Sequence, residues 1–314
     1  MKRIALSILG AAMTFAASAS AQTVKLVVPF AAGGPVDQVA RILAQELGPL
    51  LRADVIVENR AGAAGALANE AVAHAAPDGK TILLASLGSH VIGAALKPPK
   101  NYDQLKAFAP IMLVGSVPTL LVVSPKLGVS TLGELVAKAK QGPPMSYGSS
   151  GPGTTMNIAL EMLKSAAKVN VTHVPYRGGG PAINDLLGGH IDMVNADFPL
   201  LLPLVESGQV KALAQYATER SPLLKDVPTT KELGFPDVVM ESWYGVFLPA
   251  AASAETQAEL EKALTTIVQM PAVREKLAAG GLRNPVGAAE FKARLPKEFA
   301  YWRETIERLG IKGE

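Results

Sequence analysis

Two hydrophobic rhythms alternate along this chain. Short apolar runs at 24–29, 54–58, 81–85, 108–114, 120–123, 145–147, 171–176, 191–195, 210–215 and 242–248 predict strands. Between them, apolar residues recur at helical spacing. Val39, Ile42, Leu43 and Leu47 place a helix from near Asp37. Further helices are predicted at 66–76 (stopped by Pro77-Asp78-Gly79), 131–140, 155–165, 181–187, 253–270 and 288–309. Ser130 or Thr131 would cap the helix at 131–140, with Glu134 near its third position as in a capping box. Strands alternating with helices argue for an α/β fold with parallel sheets built from βαβ units.

A different pattern opens the chain. Lys2 and Arg3 precede an apolar stretch that ends at Ala19-Ser20-Ala21, a small-x-small cleavage signal. This reads as a secretory signal peptide over 1–21, too short for a membrane anchor. Cleavage there would leave the chain from Gln22 on, and the formal charge of +3 would fall by the two charges of Lys2 and Arg3 to +1. No later stretch is apolar for long enough to span a bilayer. The chain has no cysteine, which excludes disulfides, thiolate metal sites, a cysteine nucleophile and a lipid anchor on cysteine. An unanchored secreted binding protein is best retained in a periplasm, as in a Gram-negative cell. Lys and Arg are scattered and aromatic residues are few, so no nucleic-acid partner is expected.

The length suggests two domains. The expected division is discontinuous: 22–120 with 221–314 as one lobe, 121–220 as the other, with Leu120–Ser124 and Ala214–Ala217 as the segments that cross. Two crossings of this kind act as a hinge for a two-lobed clamp.

Three predicted strand-to-helix junctions are rich in glycine: 29–37, 146–157 and 174–181. Ligands of open α/β sheets bind at the carboxyl ends of strands, and free N–H groups at helix N-termini attract anions. Glycine lets a ligand approach that backbone, although any one of these loops could be only a tight turn. The first two junctions fall in different expected lobes and would grip one anion from both sides. Ser149, Ser150, Thr154, Thr155 and Asn157 would add side-chain hydrogen-bonding groups.

Other motifs fail on inspection. Gly148-Ser-Ser-Gly-Pro152 has Pro152 where a nucleophile elbow needs glycine, and His74 stands where a P-loop ending at Gly79-Lys80-Thr81 needs its first glycine. His74, His90, His173 and His190 are not paired at metal-ligand spacing, so no metal and no cofactor is expected. Asp185 and Asp192 read as turn or cap residues.

The chain resembles, nearly end to end, the receptor family of tripartite tricarboxylate transporters, also called the Bug family. The resemblance rests on an ordered series: Leu26-Val-Val-Pro-Phe30 with Gly33, Gly34 and Asp37; Val57-Glu-Asn-Arg60 with Gly62; Ala76-Pro-Asp-Gly79; Ser146-Tyr-Gly-Ser149; His173-Val-Pro-Tyr176; Asp185-Leu-Leu-Gly-Gly189; Arg220-Ser-Pro-Leu223; and Asp226-Val-Pro-Thr229. It implies a periplasmic binding protein fold of two α/β lobes, with central sheets and a ligand cleft between them. By position it implies ligand contacts from Phe30, Ala31, Gly33, Gly34 and Asp37 in the first loop. From the second it implies Ser149, Gly151, Gly153, Thr154 and Thr155, and from the third Tyr176, Arg177 and Gly178. Two departures stand out. Asn157 replaces a common histidine, and Ala196-Asp197 replaces a common Asp-Asn pair, so the far end of the ligand meets Asp197 in different company.

The expected function is therefore capture of a small carboxylate (a di- or tricarboxylate, an acidic amino acid or an aromatic acid) without chemistry on it. A membrane permease, or a membrane sensor kinase, would read the closed form. Arg177 would pair a second carboxylate or serve as a surface arginine. A periplasmic hydrolase using Ser149 or Ser150 with His173 is the enzymatic alternative. A monomer without membrane insertion is the expected state.

Overall fold

The computed structural model describes residues 22–312, and the expected leader at 1–21 lies outside them. The chain begins with β1 (Gln22–Val28), α1 (Pro35–Leu51), β2 (Ala53–Asn59), α2 (Ala66–Ala73), β3 (Thr81–Ser86) and the short α3 (Gly93–Leu96). Then come β4 (Phe108–Val123), α4 (Leu132–Gln141), β5 (Met145–Ser149), α5 (Thr155–Ala167), β6 (Val171–Pro175), α6 (Gly179–Gly188), β7 (Met193–Asp197), α7 (Phe198–Glu206) and β8 (Lys211–Gln215). The chain closes with β9 (Glu241–Pro249), α8 (Ala254–Gln269), α9 (Pro271–Ala279), β10 (Val286–Gly287) and α10 (Ala288–Leu309). Among the described residues no helix is long and apolar enough to cross a membrane.

The strands lie in the order β2-β1-β3-β9-β4-β7-β5-β6, with β8 and β10 also on β4. The expected parallel pairings hold on both flanks, where β1 pairs with β2 and β3, and β5 with β6 and β7. The centre is different. β9 runs antiparallel to both β3 and β4, and β4 antiparallel to β7 and β8. The sheet is therefore mixed rather than wholly parallel.

β4 is where the pairing changes. The two strands expected at 108–114 and 120–123 are one strand of 16 residues, buried throughout. Its first part, to Pro118, pairs with β9; from Thr119 on it pairs with β7. Pro110, Gly115 and Pro118 make the sequence look broken. They instead sit at register shifts or at the change of partner, where a missing N–H or an irregular backbone is tolerated. The return path changes partner near Met240: its carbonyl accepts from Thr119 and its N–H donates to Tyr216, whereas Ser242 already pairs with Val117. The changes of pairing partner thus fall at 118–119 and 240–241, close to but outside Leu120–Ser124 and Ala214–Ala217. Between them the Gln215 side chain holds the segment after β8 by donating to the carbonyls of Leu224 and Val227 and accepting from Ser221 N–H.

Alternate strand residues feed two cores. Leu26, Val28, Ile82, Leu84, Leu120 and Val122 face one, which α1, α6, α7 and α8 cover. Val27, Leu83, Ala85, Leu121 and Val123 face the other, under α2, α5 and α10. Period-2 alternation on strands buried on both faces produces this split. Each such Val, Leu or Ile contributes roughly 1.5–3 kcal/mol by leaving water. Local signals mark the helix ends. Pro35 opens α1 at its first turn, two residues ahead of the expected start. For α4 the two-way cap is complete: Thr131 Oγ1 accepts from Glu134 N–H, and Glu134 accepts from Ser130 N–H.

Candidate functional site

The carboxyl ends of β1, β2, β3, β5, β6 and β7 converge on one cavity of about 710 Å³. Its walls come from both flanks of the sheet: the loop after β1, the turn after β2 and Ser86 on one side, and the loops after β5, β6 and β7 on the other. Phe30, Ala31, Gly33, Gly34, Thr154, Thr155, Tyr176, Arg177, Gly178 and Asp197 all line it. Asp37, Ser149, Gly151, Gly153 and Asn157 are not among the lining residues.

Those five carry hydrogen bonds within the loops. Asp37 is buried, at 2 % exposure, and sits at the third position of α1. Its carboxylate accepts from Gly33 N–H at 2.9 Å, from Asn59 Nδ2 at 2.9 Å and from Arg41 at 2.9 and 3.1 Å. Burial alone would raise its pKa, but the bonds from Arg41, Gly33 and Asn59 outweigh it and hold the carboxyl below its ordinary value. Asn157 occupies the same third position in α5, where its Oδ1 accepts from Gly153 N–H at 3.1 Å. Its Nδ2 donates to Tyr147 OH at 2.7 Å, and Tyr147 OH in turn donates to Glu161.

The two loops are thus the same device in different sequence. In each, a glycine with left-handed φ, +86° at Gly33 and +75° at Gly153, precedes the helix cap. In each, the polar side chain four residues on binds that glycine's N–H. Neither α1 nor α5 has a side-chain cap, nor do α6 and α7, whose N-termini also open on the cavity. By contrast α4 and α8 are capped, by Thr131 and Ser253. Helix ends without a side-chain cap present N–H groups and a partial positive charge, which suits an anion.

Two charged side chains line the cavity, Arg177 and Asp197. Arg177 is exposed at the loop after β6. Tyr176 beside it donates its hydroxyl to Asp185 at 2.6 Å; burial first, then Asp185, pushes its pKa up to about 12. Asp197 is held by Tyr244 OH, which donates to Oδ2 at 2.5 Å, while Oδ1 is out of solvent and has no partner at hydrogen-bond geometry. Burial raises its pKa to about 6 against the opposing pull of the Tyr244 and Ser242 hydroxyls.

Sequence reasoning missed the turn Gly62–Gly65 and Ser86 as cavity walls. The glycine signal was present at Gly62 and Gly65, directly after a predicted strand. It chose Ser149 together with Ser150, and only Ser150 lines the cavity. Side chains alternate along β5, so Ser149 turns inward and is fully buried. Its Oγ lies 2.6 Å from His173 Nε2 and accepts from Gly151 N–H at 3.1 Å. The pair weighed as a hydrolase dyad is therefore in hydrogen-bond contact, with Ser149 at zero exposure. Asp192 accepts from Ser146 N–H at 2.8 Å, and no group of three or more His, Cys, Asp or Glu among the described residues is placed to hold a metal ion.

The model of the tripartite tricarboxylate transporter family receptor matches residues 39–311. The chain belongs to that family. It is accordingly a solute-binding receptor with the periplasmic binding protein fold. Protein BugT of Bordetella pertussis is 33 % identical over 93 % of this chain and 90 % of its own. MatC of Rhodopseudomonas palustris, solved with bound malate, superposes with a TM-score of 0.84 at 32 % identity, covering 91 % of this chain and 99 % of that one. Rpa4515 of R. palustris, solved with adipate, gives 0.88 at 29 % identity, covering 93 % and 98 %.

Proposed function

We propose that this receptor captures a small dicarboxylate in the cavity between its lobes and delivers it to a membrane permease of the tripartite type. One observation carries the reading: helix ends of the same construction, from α1 and α5, open on one cavity from opposite sides. One ligand carboxylate would sit between them, each dipole contributing up to about 2 kcal/mol when partly buried. Arg177 would meet the second carboxylate, and a fork of guanidinium donors suits that group. The relatives that hold malate and adipate support this ligand class.

Binding works by closure. Contacts to both lobes raise the population of the closed form, and rotation would take place at the crossings near 118–119 and 240–241. Secretion to the periplasm through a leader at 1–21 and action as a monomer complete the proposal. No catalytic step is part of it, since the ligand leaves unchanged.

A thermal-shift panel of mono-, di- and tricarboxylates against the chain from Gln22 tests it. A ligand at about 100 times its Kd stabilises by roughly 2.7 kcal/mol, or several degrees. Dicarboxylates should give the largest shift, and Gly34→Val should abolish it. A flat panel on folded, ligand-stripped protein would refute carboxylate capture.

A further inference from the structure

Outside the cavity, the two lobes touch where two glycines take the place of side chains. Gly88 follows β3 and opens a π-helical turn, Gly88–Ile92, a rare element often found at functional sites. A Cβ on Gly88 would lie 3.2 Å from the backbone nitrogen of Thr155 and 3.3 Å from its Cγ2. Thr155 is the first residue of α5, so the end of β3 presses against the helix end assigned to the ligand. The second contact is Gly153, where a Cβ would lie 2.4 Å from Leu96 Cδ2 at the end of α3. The segment between is fixed from behind. Ser86 N–H donates to Ser89 Oγ at 3.0 Å, and a Cβ on Gly93 would meet the Ala64 carbonyl at 3.0 Å.

Gly88 does not line the cavity, whereas its neighbours in this contact do: Ser86 on its own lobe and Thr155 across the gap. We infer that Gly88 is a positioning residue that sets how far the lobes close, so that a contact the ligand never makes determines how tightly both lobes share it. Gly88 has no left-handed φ, so alanine fits its backbone and acts through the gap alone. Even a methyl group there meets backbone at a separation tighter than ordinary contact, and the neighbour across the gap must move by a few tenths of an ångström. Because the lobes are linked at the crossings, the yielding motion is partial opening, which takes the α5 end away from an anion held at Gly33 and Gly34. Gly153 is the less clean probe, because its φ of +75° strains any side chain.

This rests on closure as the binding step. The test uses the chain from Gln22 with Gly88→Ala and Gly88→Val. The protein has no cysteine of its own, so Gln45→Cys and Lys140→Cys, one exposed site on each lobe, give an unambiguous spin-label pair. With malate and adipate as probes, the wild type should reach the inter-lobe distance of this structure. Gly88→Ala should stop at a longer distance, bind about tenfold more weakly through faster dissociation, and melt within a few degrees of wild type without ligand. Gly88→Val should be graded further in the same direction. Wild-type distance and affinity in both variants would overturn the inference. So would a lowered melting temperature with an unchanged closed distance, which marks a purely structural glycine. Should neither acid bind the wild type, the ligand proposal fails separately. The ligand-free distance distributions then decide: loss of the closed population in Gly88→Val supports the inference, and matching distributions overturn it.

Discussion

Asp197 makes a prediction about pH that runs against the usual behaviour of a carboxylate. It caps no helix N–H, its Oδ1 has no partner at hydrogen-bond geometry, and burial lifts its pKa to about 6 from the ordinary 3.8. The folded state then binds this proton more tightly than the unfolded state between about pH 4 and pH 6. Stability from this group is fully present below the unfolded pKa and is lost as pH rises through the folded one. A shift of this size is worth about 3 kcal/mol, at about 1.4 kcal/mol per pKa unit. Asp37 opposes it, since its lowered pKa gives stability that is present above its unfolded value and lost as pH falls. The effect of Asp197 must therefore be read as a difference. In Asp197→Asn the amide oxygen can still accept from Tyr244, but the titration is gone. Denaturant unfolding of ligand-free wild type and variant at pH 4.5, 6 and 7.5 isolates the group. The variant should gain about 2 kcal/mol relative to wild type between pH 4.5 and pH 7.5, less than the full value of about 3 because pH 4.5 already lies above the unfolded pKa. Parallel profiles would refute the assignment of a desolvated carboxylate. For the same reason, an anionic ligand should bind several-fold more tightly at pH 5 than at pH 7.5 in the wild type, and this dependence should flatten in Asp197→Asn.

Arg177→Ala should weaken dicarboxylates roughly tenfold by calorimetry, about 1.4 kcal/mol, and leave monocarboxylates nearly unaffected; equal losses would remove the second-carboxylate role. Asp37→Ala strips partners from Gly33 N–H, Asn59 and Arg41 at once, and should cost about 2–3 kcal/mol in denaturant unfolding as well as weakening ligand binding. Thr119→Val replaces a fully buried hydroxyl that has no protein partner, so stability should stay level or rise by about 1 kcal/mol. A loss of 2 kcal/mol or more there would reveal a partner for Thr119.

What the sequence disclosed depended on how local each signal was. The flanking βαβ units were legible because each needs only a short apolar run, a glycine junction and a helix face. β4 was not, because Pro118 between two apolar runs reads as a break, and only pairing with β9 on one side and β7 on the other makes a single strand of it. The same holds for β9, an apolar run like the others, whose antiparallel place between β3 and β4 is a tertiary fact. At the site, the glycine junctions gave the loops but not the direction of each side chain. Ser149 is the last residue of β5 and Ser150 the first of the loop after it, and that one position is enough to bury the first and bring the second to the cavity. Asp37 and Asn157 show the deeper reason. Polar residues beside an anion site look like ligand contacts in a sequence, yet here each binds the N–H of a left-handed glycine four residues back. A hydrogen bond spent on the loop is not available to the ligand, but it fixes the backbone so that the helix N–H groups are. In the proposed mode of capture the binding groups are therefore mainly main-chain ones, which any sequence that forms the loop can supply. Arg177 and Asp197, the charged side chains that do face the cavity, are where the proposed site would gain its selectivity among carboxylates.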